Sequence, residues 1–324
     1  MNNNVTAILT TYQRSRLAKR ALTSIFSQSF SPAEIIVVED AGETDLADWI
    51  AALGRDDLKY VRHDRNRGLA AARNTGLRLA NSDLIAYIDD DDLWLPTRLQ
   101  EQVERYRSLH CDQKVKLASL QVGCIIVDSQ GQPIGEVLPV NQGNLRESII
   151  KVGPATPSSS FMFVRSKLLE IGGFDEGLIS GIDHDVWMKL AVAGYSNEVI
   201  KKPLVMVTRN DRPKMMSDTE RRILGLTQYV KKWTPTYREW FGEIEGDIYA
   251  RRYFIRIVCG LAGQKFADRQ FSEGILATKA ALRTASGSPA LLFYGIRLLL
   301  RTYASSALPQ LAVAKRAIIR RPEC

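Results

Sequence analysis

The sequence predicts an α/β fold, a mostly parallel sheet flanked by helices and followed by a helical carboxyl-terminal region. Three observations predict it. Short apolar runs alternate with segments of helical period between Val5 and Thr208. Several of those runs end in polar or acidic residues. From Ser217 onward the strand pattern is gone and helical periods dominate, which divides the chain into domains at residues 1–216 and 217–324.

The elements follow in order. Val5 to Leu9 has the length and apolarity of a buried strand, and Thr10-Thr11-Tyr12-Gln13-Arg14 turns the chain after it. Leu17, Ala18, Ala21, Leu22, Ile25 and Phe26 recur at helical spacing. Glu34 to Val38 is a second strand, running into Glu39-Asp40-Ala41-Gly42. A helix is expected over about Asp45 to Leu53, and a third strand over Leu58 to His63. Gly68 to Leu79 is an Ala-rich helix that carries Arg73 and Asn74. Leu84 to Ile88 is the fourth strand. In an open α/β sheet, ligands gather outside the carboxyl ends of the strands. Thr10, Asp40 and Asp89 therefore line one edge.

Beyond that edge, Pro96 is expected to open a helix whose apolar face is Leu99, Val103, Tyr106 and Leu109. Leu117 to Val127 reads as a longer strand, and Asp128-Ser129-Gln130-Gly131-Gln132-Pro133 as a hairpin turn. Residues 153–160, rich in Pro, Gly and Ser, form a loop. Ser160 to Val164 and Leu204 to Thr208 are further strands. Between them lies a helix around Val186, Leu190 and Ala193, with Asp183 near its start. The carboxyl-terminal region holds helical periods at 218–232, 243–266, 271–284 and 289–304.

The chemically telling stretch is Asp89-Asp90-Asp91-Asp92. Four adjacent anions at the end of a buried strand repel one another unless a counter-charge joins them. Hard oxygen ligands suit Mg2+ or Mn2+, usually shared with the phosphates of a substrate. The blander possibility is a solvated acidic turn in which Asp92 serves the start of the next helix.

Composition narrows the class. The 324 residues are 45% hydrophobic and 25% charged, as in globular proteins. Cys111, Cys124, Cys259 and Cys324 have no metal-ligand spacing. Neither an export signal nor a run of about 18 uncharged apolar residues is present, so the expected location is cytoplasmic with no membrane span. Residues 251–324 hold 13 Lys and Arg against 3 Asp and Glu, a net of +10, whereas the whole chain carries +8. The basic character belongs to the carboxyl-terminal quarter, which is suited to an anionic surface.

Five motifs in order resemble those of family 2 glycosyltransferases with the GT-A fold, a Rossmann-like arrangement. They are Thr10 to Arg14; Val37 to Asp45; Asn66-Arg67-Gly68 through Ala72-Arg73-Asn74-Thr75-Gly76; Ile88 to Pro96; and Gly172 to Glu176 with Ile182 to Trp187. Together they span residues 5–208. The resemblance implies an inverting bacterial enzyme. It would move a sugar from a nucleotide-diphosphate donor to a hydroxyl of a glycan or lipid-linked acceptor, as in surface polysaccharide synthesis.

It also implies roles. The acid run stands where the family has its DXD metal motif, with Asp91 and then Asp89 as ligands of Mn2+ or Mg2+. Thr10, Tyr12 and Asp40 would hold the base and ribose, with Asp89 and Asp90 supporting the donor. Arg14 or Arg73 would approach the diphosphate. For Arg73 a purely structural pairing with the acid cluster is equally open. Asp183 would be the catalytic base, against the plainer reading of a helix cap. Asp185 is the alternative base but reads as structural, and Trp94 and Trp187 could stack on sugar but read as core. A His that many relatives carry after the last strand is missing; Arg209 and Arg212 lie there instead.

Two other readings compete. A nucleotidyltransferase would need a Gly-rich basic loop after the first strand, which residues 10–14 are not. A non-catalytic nucleotide-sugar-binding scaffold has no need of both Asp91 and Asp183. Apolar positions over 289–304, with Arg297, Arg301, Lys315, Arg316, Arg320 and Arg321, predict a peripheral helix on an anionic membrane face. No motif points to nucleic acid.

Overall fold

A computed structural model describes residues 4–42, 45–128, 130–152, 158–208 and 218–303. The chain divides into two compact units, one of residues 1–177 and 182–212, the other of residues 178–181 and 213–324.

The first unit is built on one mixed sheet. Its leading strands are β1 (Val5–Thr11), β2 (Glu34–Glu39), β3 (Leu58–Arg62) and β4 (Leu84–Asp89). They pair in the order β3-β2-β1-β4, all parallel. Parallel strands must be covered on both faces, and β1 and β2 are buried at every position. Helices α1 (Ser15–Phe26), α2 (Leu46–Ala52) and α3 (Leu69–Leu79) connect them. Since β1 has β2 on one side and β4 on the other, the chain reverses its winding there. The crevice beyond the ends of β1 and β4 is the natural ligand position.

The sheet continues through strands that run both ways. After β5 (Asp92–Trp94), α4 (Arg98–Ser108) and α5 (Cys111–Lys116) come β6 (Leu117–Val127) and β7 (Pro133–Val137), an antiparallel hairpin. Its turn is held by Asp128, whose carboxylate accepts from the N–H groups of Gln130 and Gln132. Then follow β8 (Gly143–Asn144), α6 (Leu145–Val152), a 3-10 turn at Ser158–Ser160, β9 (Phe161–Val164), α7 (Arg165–Glu170), α8 (Ile182–Val192) and β10 (Ser196–Thr208). Strand β9 inserts antiparallel between β4 and β6, and β10 runs parallel to β6.

Two local expectations change. Asp92 does not start a helix: it lies in β5, paired antiparallel with β10 at Val207. Its side chain accepts the Ser159 hydroxyl at 2.6 Å. The helix expected from Pro96 begins at Arg98, since the Leu95 N–H is bound to the carbonyl of Leu204.

The second unit is helical among its described residues: α9 (Thr219–Phe241), α10 (Glu243–Ala267), α11 (Phe271–Ala285) and a helix over 289–303, termed α12. Helix α9 runs beyond the expected 232 and through Pro235. Proline removes one N–H from the helical ladder. The Thr234 hydroxyl beside it donates to the Val230 carbonyl at 2.7 Å.

Candidate active site

The site grows from α3. Gly76 lies so close to β1 that a Cβ there would stand 2.5 Å from Cγ2 of Ile8. That approach seats the helix on the sheet and buries Arg73 completely. A buried guanidinium needs opposite charge and acceptors. Arg73 finds them in three segments that are distant in sequence. Nη1 donates to Asp183 Oδ1 at 2.5 Å, and Nη2 donates to Asp89 Oδ1 and to the Ser158 hydroxyl, both at 2.8 Å. The group also lies 5.2 Å from the ring centre of Phe174 and 5.9 Å from that of Tyr87. Burial opposes its charge, but the carboxylates of Asp183 and Asp89 outweigh burial and raise its pKa above the ordinary arginine value. Arg73 is ion-paired with the acid cluster and with Asp183. Both of its Nη atoms hold the site together.

Asn74 fixes the neighbouring turn. Its amide donates to the Phe174 carbonyl and to Glu176, and its oxygen accepts from the Phe174 N–H. Adjacent residues of one helix thus secure both the acid cluster and the Gly-Gly-Phe-Asp-Glu turn.

The acid run itself is divided. Asp89 ends β4 opposite Thr10 of β1, and its side chain is 30% exposed. Burial raises its pKa, Arg73 opposes the rise, and Asp183 and Asp91 add to it. Asp90 turns inward. It accepts the Thr11 hydroxyl at 2.7 Å and Arg14 Nη1 at 3.3 Å. Burial pushes its carboxyl up to about 6, against the pull of Thr11 and Arg14. Asp91 faces the same guanidinium at 3.7 Å. Asp183 is in the first turn of α8, with its side chain 36% exposed.

Asp40 is buried at the end of β2 and accepts three N–H groups: His63 Nδ1 at 2.8 Å, the Arg67 backbone at 2.8 Å and the Gly68 backbone at 2.7 Å. It holds the loop that leads into α3. The Thr10 hydroxyl is buried and has no hydrogen-bond partner among the described residues. Tyr12 is 43% exposed at the rim. Asp185 is buried with Lys189 at 3.4 Å, and Trp94 and Trp187 are core, as expected. Arg209, Arg212 and the basic residues from 315 to 321 lie outside the described residues.

Sequence reasoning missed Thr11, His63, Ser158 and Ser159. Ser159 accepts from the Asp89 N–H and donates to Asp92, so one hydroxyl joins both ends of the acid run. Its signal was a Ser triplet closing a Pro-rich loop. Nothing in that loop indicated which serine would face the acids.

The named cluster sets four carboxylates, Asp89, Asp90, Asp91 and Asp183, against two guanidiniums, Arg14 and Arg73. That imbalance suits a divalent cation. No group of three or more His, Cys, Asp or Glu among the described residues converges as a ready cage. Asp89 and Asp91 would supply the one or two carboxylates that an ion such as Mg2+ or Mn2+ takes, its remaining positions being filled by phosphate oxygens and water.

Residues 6–113 match the family model described as Glycosyl transferase family 2. WcaA of Escherichia coli K12, named for glycosyl transfer in colanic acid biosynthesis, is 37% identical over 103 residues, which cover 31% of this chain and 37% of WcaA. ExoW of Rhizobium meliloti, a succinoglycan biosynthesis protein by name, is 34% identical over 100 residues, 29% of this chain and 31% of ExoW. The chain thus spans about a third of the length of these two relatives. Among solved structures, Staphylococcus aureus TarS 1–349 in complex with UDP-GlcNAc superposes with a TM-score of 0.61 at 18% identity, covering 94% of this chain and 90% of that one. The mannosyltransferase PcManGT of Pyrobaculum calidifontis, in complex with GDP-Man and Mn2+, gives 0.58 at 21% identity, covering 98% and 88%. Residues 6–113 are therefore similar to family 2 glycosyltransferases, and the fold is that of the GT-A glycosyltransferases among the solved structures.

Proposed function

We propose that this protein is an inverting glycosyltransferase that moves a sugar from a nucleotide-diphosphate donor to a hydroxyl of a glycan or lipid-linked acceptor. The observation that carries this reading is the pair of carboxylates on one guanidinium: Asp89 on the donor side and Asp183 across from it. Inverting transfer is a single displacement, so the acceptor hydroxyl must lose its proton on the face opposite the leaving diphosphate. Asp183, partly exposed and fixed by Arg73, is placed to accept that proton. Arg14 is one-third exposed beside Asp90 and Asp91 and supplies positive charge where the diphosphate would lie. Tyr12 and Thr10, at the end of β1, border the space for base and ribose, with Asp40 shaping its floor. A bound Mg2+ or Mn2+ at Asp89 and Asp91 would neutralise the diphosphate as it leaves. The names of WcaA and ExoW support polysaccharide biosynthesis as the setting, and the complex of PcManGT with Mn2+ supports manganese.

Peripheral membrane attachment fits the same role. No helix of the described residues is long and apolar enough to cross a membrane. Helix α12 instead exposes Leu292, Phe293, Ile296, Leu300 and Tyr303. Arg297 and Arg301 are exposed on the same helix.

Asp183→Asn tests the assignment. Transfer should fall by at least roughly 100-fold, while nucleotide-diphosphate binding stays as in the parent. An Asn variant that transfers sugar at the parental rate removes Asp183 from the role of base. Thermal shifts with a panel of nucleotide diphosphates, with and without Mn2+, report base preference and metal use together, because a ligand of the native state raises the melting temperature.

A further inference from the structure

The helical unit contains a second place where ligand chemistry gathers, independent of the donor site. Tyr249, Arg252, Tyr253 and Arg256 occupy one stripe of α10, at spacings of three and four residues. With Tyr294 of α12 they line a cavity of about 220 Å³. This is below the roughly 300–1,000 Å³ of sites for drug-sized molecules and corresponds to a single ring or a small anion.

Two features distinguish this cavity from ordinary packing. Arg252 and Arg256 are exposed like-charged residues one turn apart, and neither forms an ion pair with a described carboxylate. Elsewhere in the same unit, Arg238 is bound to Asp247 at 2.8 Å and Lys265 to Glu273 at 2.5 Å. Arg252 and Arg256 instead face phenol rings. The Arg256 guanidinium lies 5.5 Å from the ring centre of Tyr253 and that of Arg252 lies 5.9 Å from Tyr294. Paired guanidiniums bind planar oxyanions, and aromatic faces accept the apolar face of a ring.

We propose that Tyr249, Arg252, Tyr253, Arg256 and Tyr294 form a binding site for an acidic sugar, whose carboxylate or phosphate is held by the two arginines and whose ring lies against the tyrosines.

Isothermal titration of the full chain with glucuronate, methyl glucoside and inorganic phosphate tests it. Glucuronate should bind at least tenfold more tightly than either methyl glucoside or phosphate. Arg252→Gln with Arg256→Gln should weaken glucuronate at least tenfold without altering nucleotide-diphosphate binding, since the donor site lies in the other unit. Tyr294→Leu should weaken glucuronate and leave phosphate unchanged. Glucuronate binding that survives the double substitution, or that only equals methyl glucoside, overturns the site. Phosphate binding as tight as glucuronate overturns its assignment to a sugar. Loss of nucleotide binding in the parent chain would instead count against the donor-site reading and leave this one intact.

Discussion

Arg73 donates to Asp183 at 2.5 Å across 110 residues of sequence, from a side chain that is wholly buried to one that is one-third exposed. The residue read as the base is therefore anchored from below by a group that solvent cannot reach. Removing the guanidinium leaves Asp89 and Asp183 facing each other without a counter-charge. Arg73→Met is expected to lower stability by about 3 kcal/mol, the lower end for a broken buried pair because both acids keep some water. Arg73→Lys keeps the charge but cannot bridge both acids and Ser158. It should recover part of that stability while transfer stays impaired. Urea midpoints of the three proteins measure this, and a Met variant as stable as the parent would show that the bridge contributes nothing.

Asp90 is the group to follow with pH. Its folded pKa, about 6, lies above the ordinary 3.8 because it is buried. A group of this kind takes up a proton more readily when folded, so its ionised form lowers stability above about pH 6, and that penalty fades as the pH falls toward 4. Cation binding at the adjacent carboxylates has the opposite sign, since it requires them ionised. In EDTA, Asp90→Asn should melt above the parent at about pH 7.5, and the gap should narrow below about pH 6 and close near pH 4. The stabilisation of the parent by Mn2+ should shrink over the same interval. A gap that does not vary with pH would mean that Asp90 titrates normally. Thr11→Val should move the closing of the gap to higher pH, because the Thr11 hydroxyl favours the ionised form.

The sheet was legible because its evidence is local. Apolar runs of five or six residues with polar ends mark β1, β2 and β4, and those ends are where the acids and Thr10 stand. Asp89, Asp91 and Asp183 could be named from the same pattern together with the family motifs. What sequence could not show is pairing at long range. Ser158 meets Arg73 across 85 residues and Ser159 meets Asp92 across 67. Strand β5 exists only because β10, more than 100 residues later, pairs with it. Asp92 beside Trp94 and Pro96 therefore suggested a helix start when its partner lay far along the chain. His63 was invisible for the same reason: its meaning comes from Asp40 on the neighbouring strand and from Thr75, whose hydroxyl is 2.9 Å from Nε2.

Gly76 connects packing to chemistry. A methyl group there would overlap Ile8, so Gly76→Ala should push α3 away from β1 and destabilise by ~1–3 kcal/mol, as overpacking does. Arg73 lies three residues earlier on the helix and would shift with it. The variant should lose more transfer activity than its melting temperature accounts for, assayed well below the melt. Pairing it with Ile8→Ala, which removes the clashing atom, should restore activity relative to Gly76→Ala alone. No recovery would mean that the close approach does not position the site.

The exposed face of α12 makes the membrane reading testable. Leu292, Ile296, Leu300 and Tyr303 follow the three- and four-residue spacing of one helix face, and Arg297 and Arg301 accompany them. Attachment by apolar area alone would be insensitive to salt, whereas attraction to anionic lipid weakens as the Debye length falls. The full chain should sediment with vesicles containing about a third anionic lipid, bind neutral vesicles at least tenfold less, and release in about 0.5 M salt. Ile296→Asp with Leu300→Asp should abolish sedimentation while leaving nucleotide binding intact, since both side chains are exposed and their replacement opens no core. Arg297→Gln with Arg301→Gln should weaken it and reduce its dependence on salt. Equal binding to neutral and anionic vesicles would remove the charge from the account, and no binding to either would assign the exposed face to another partner.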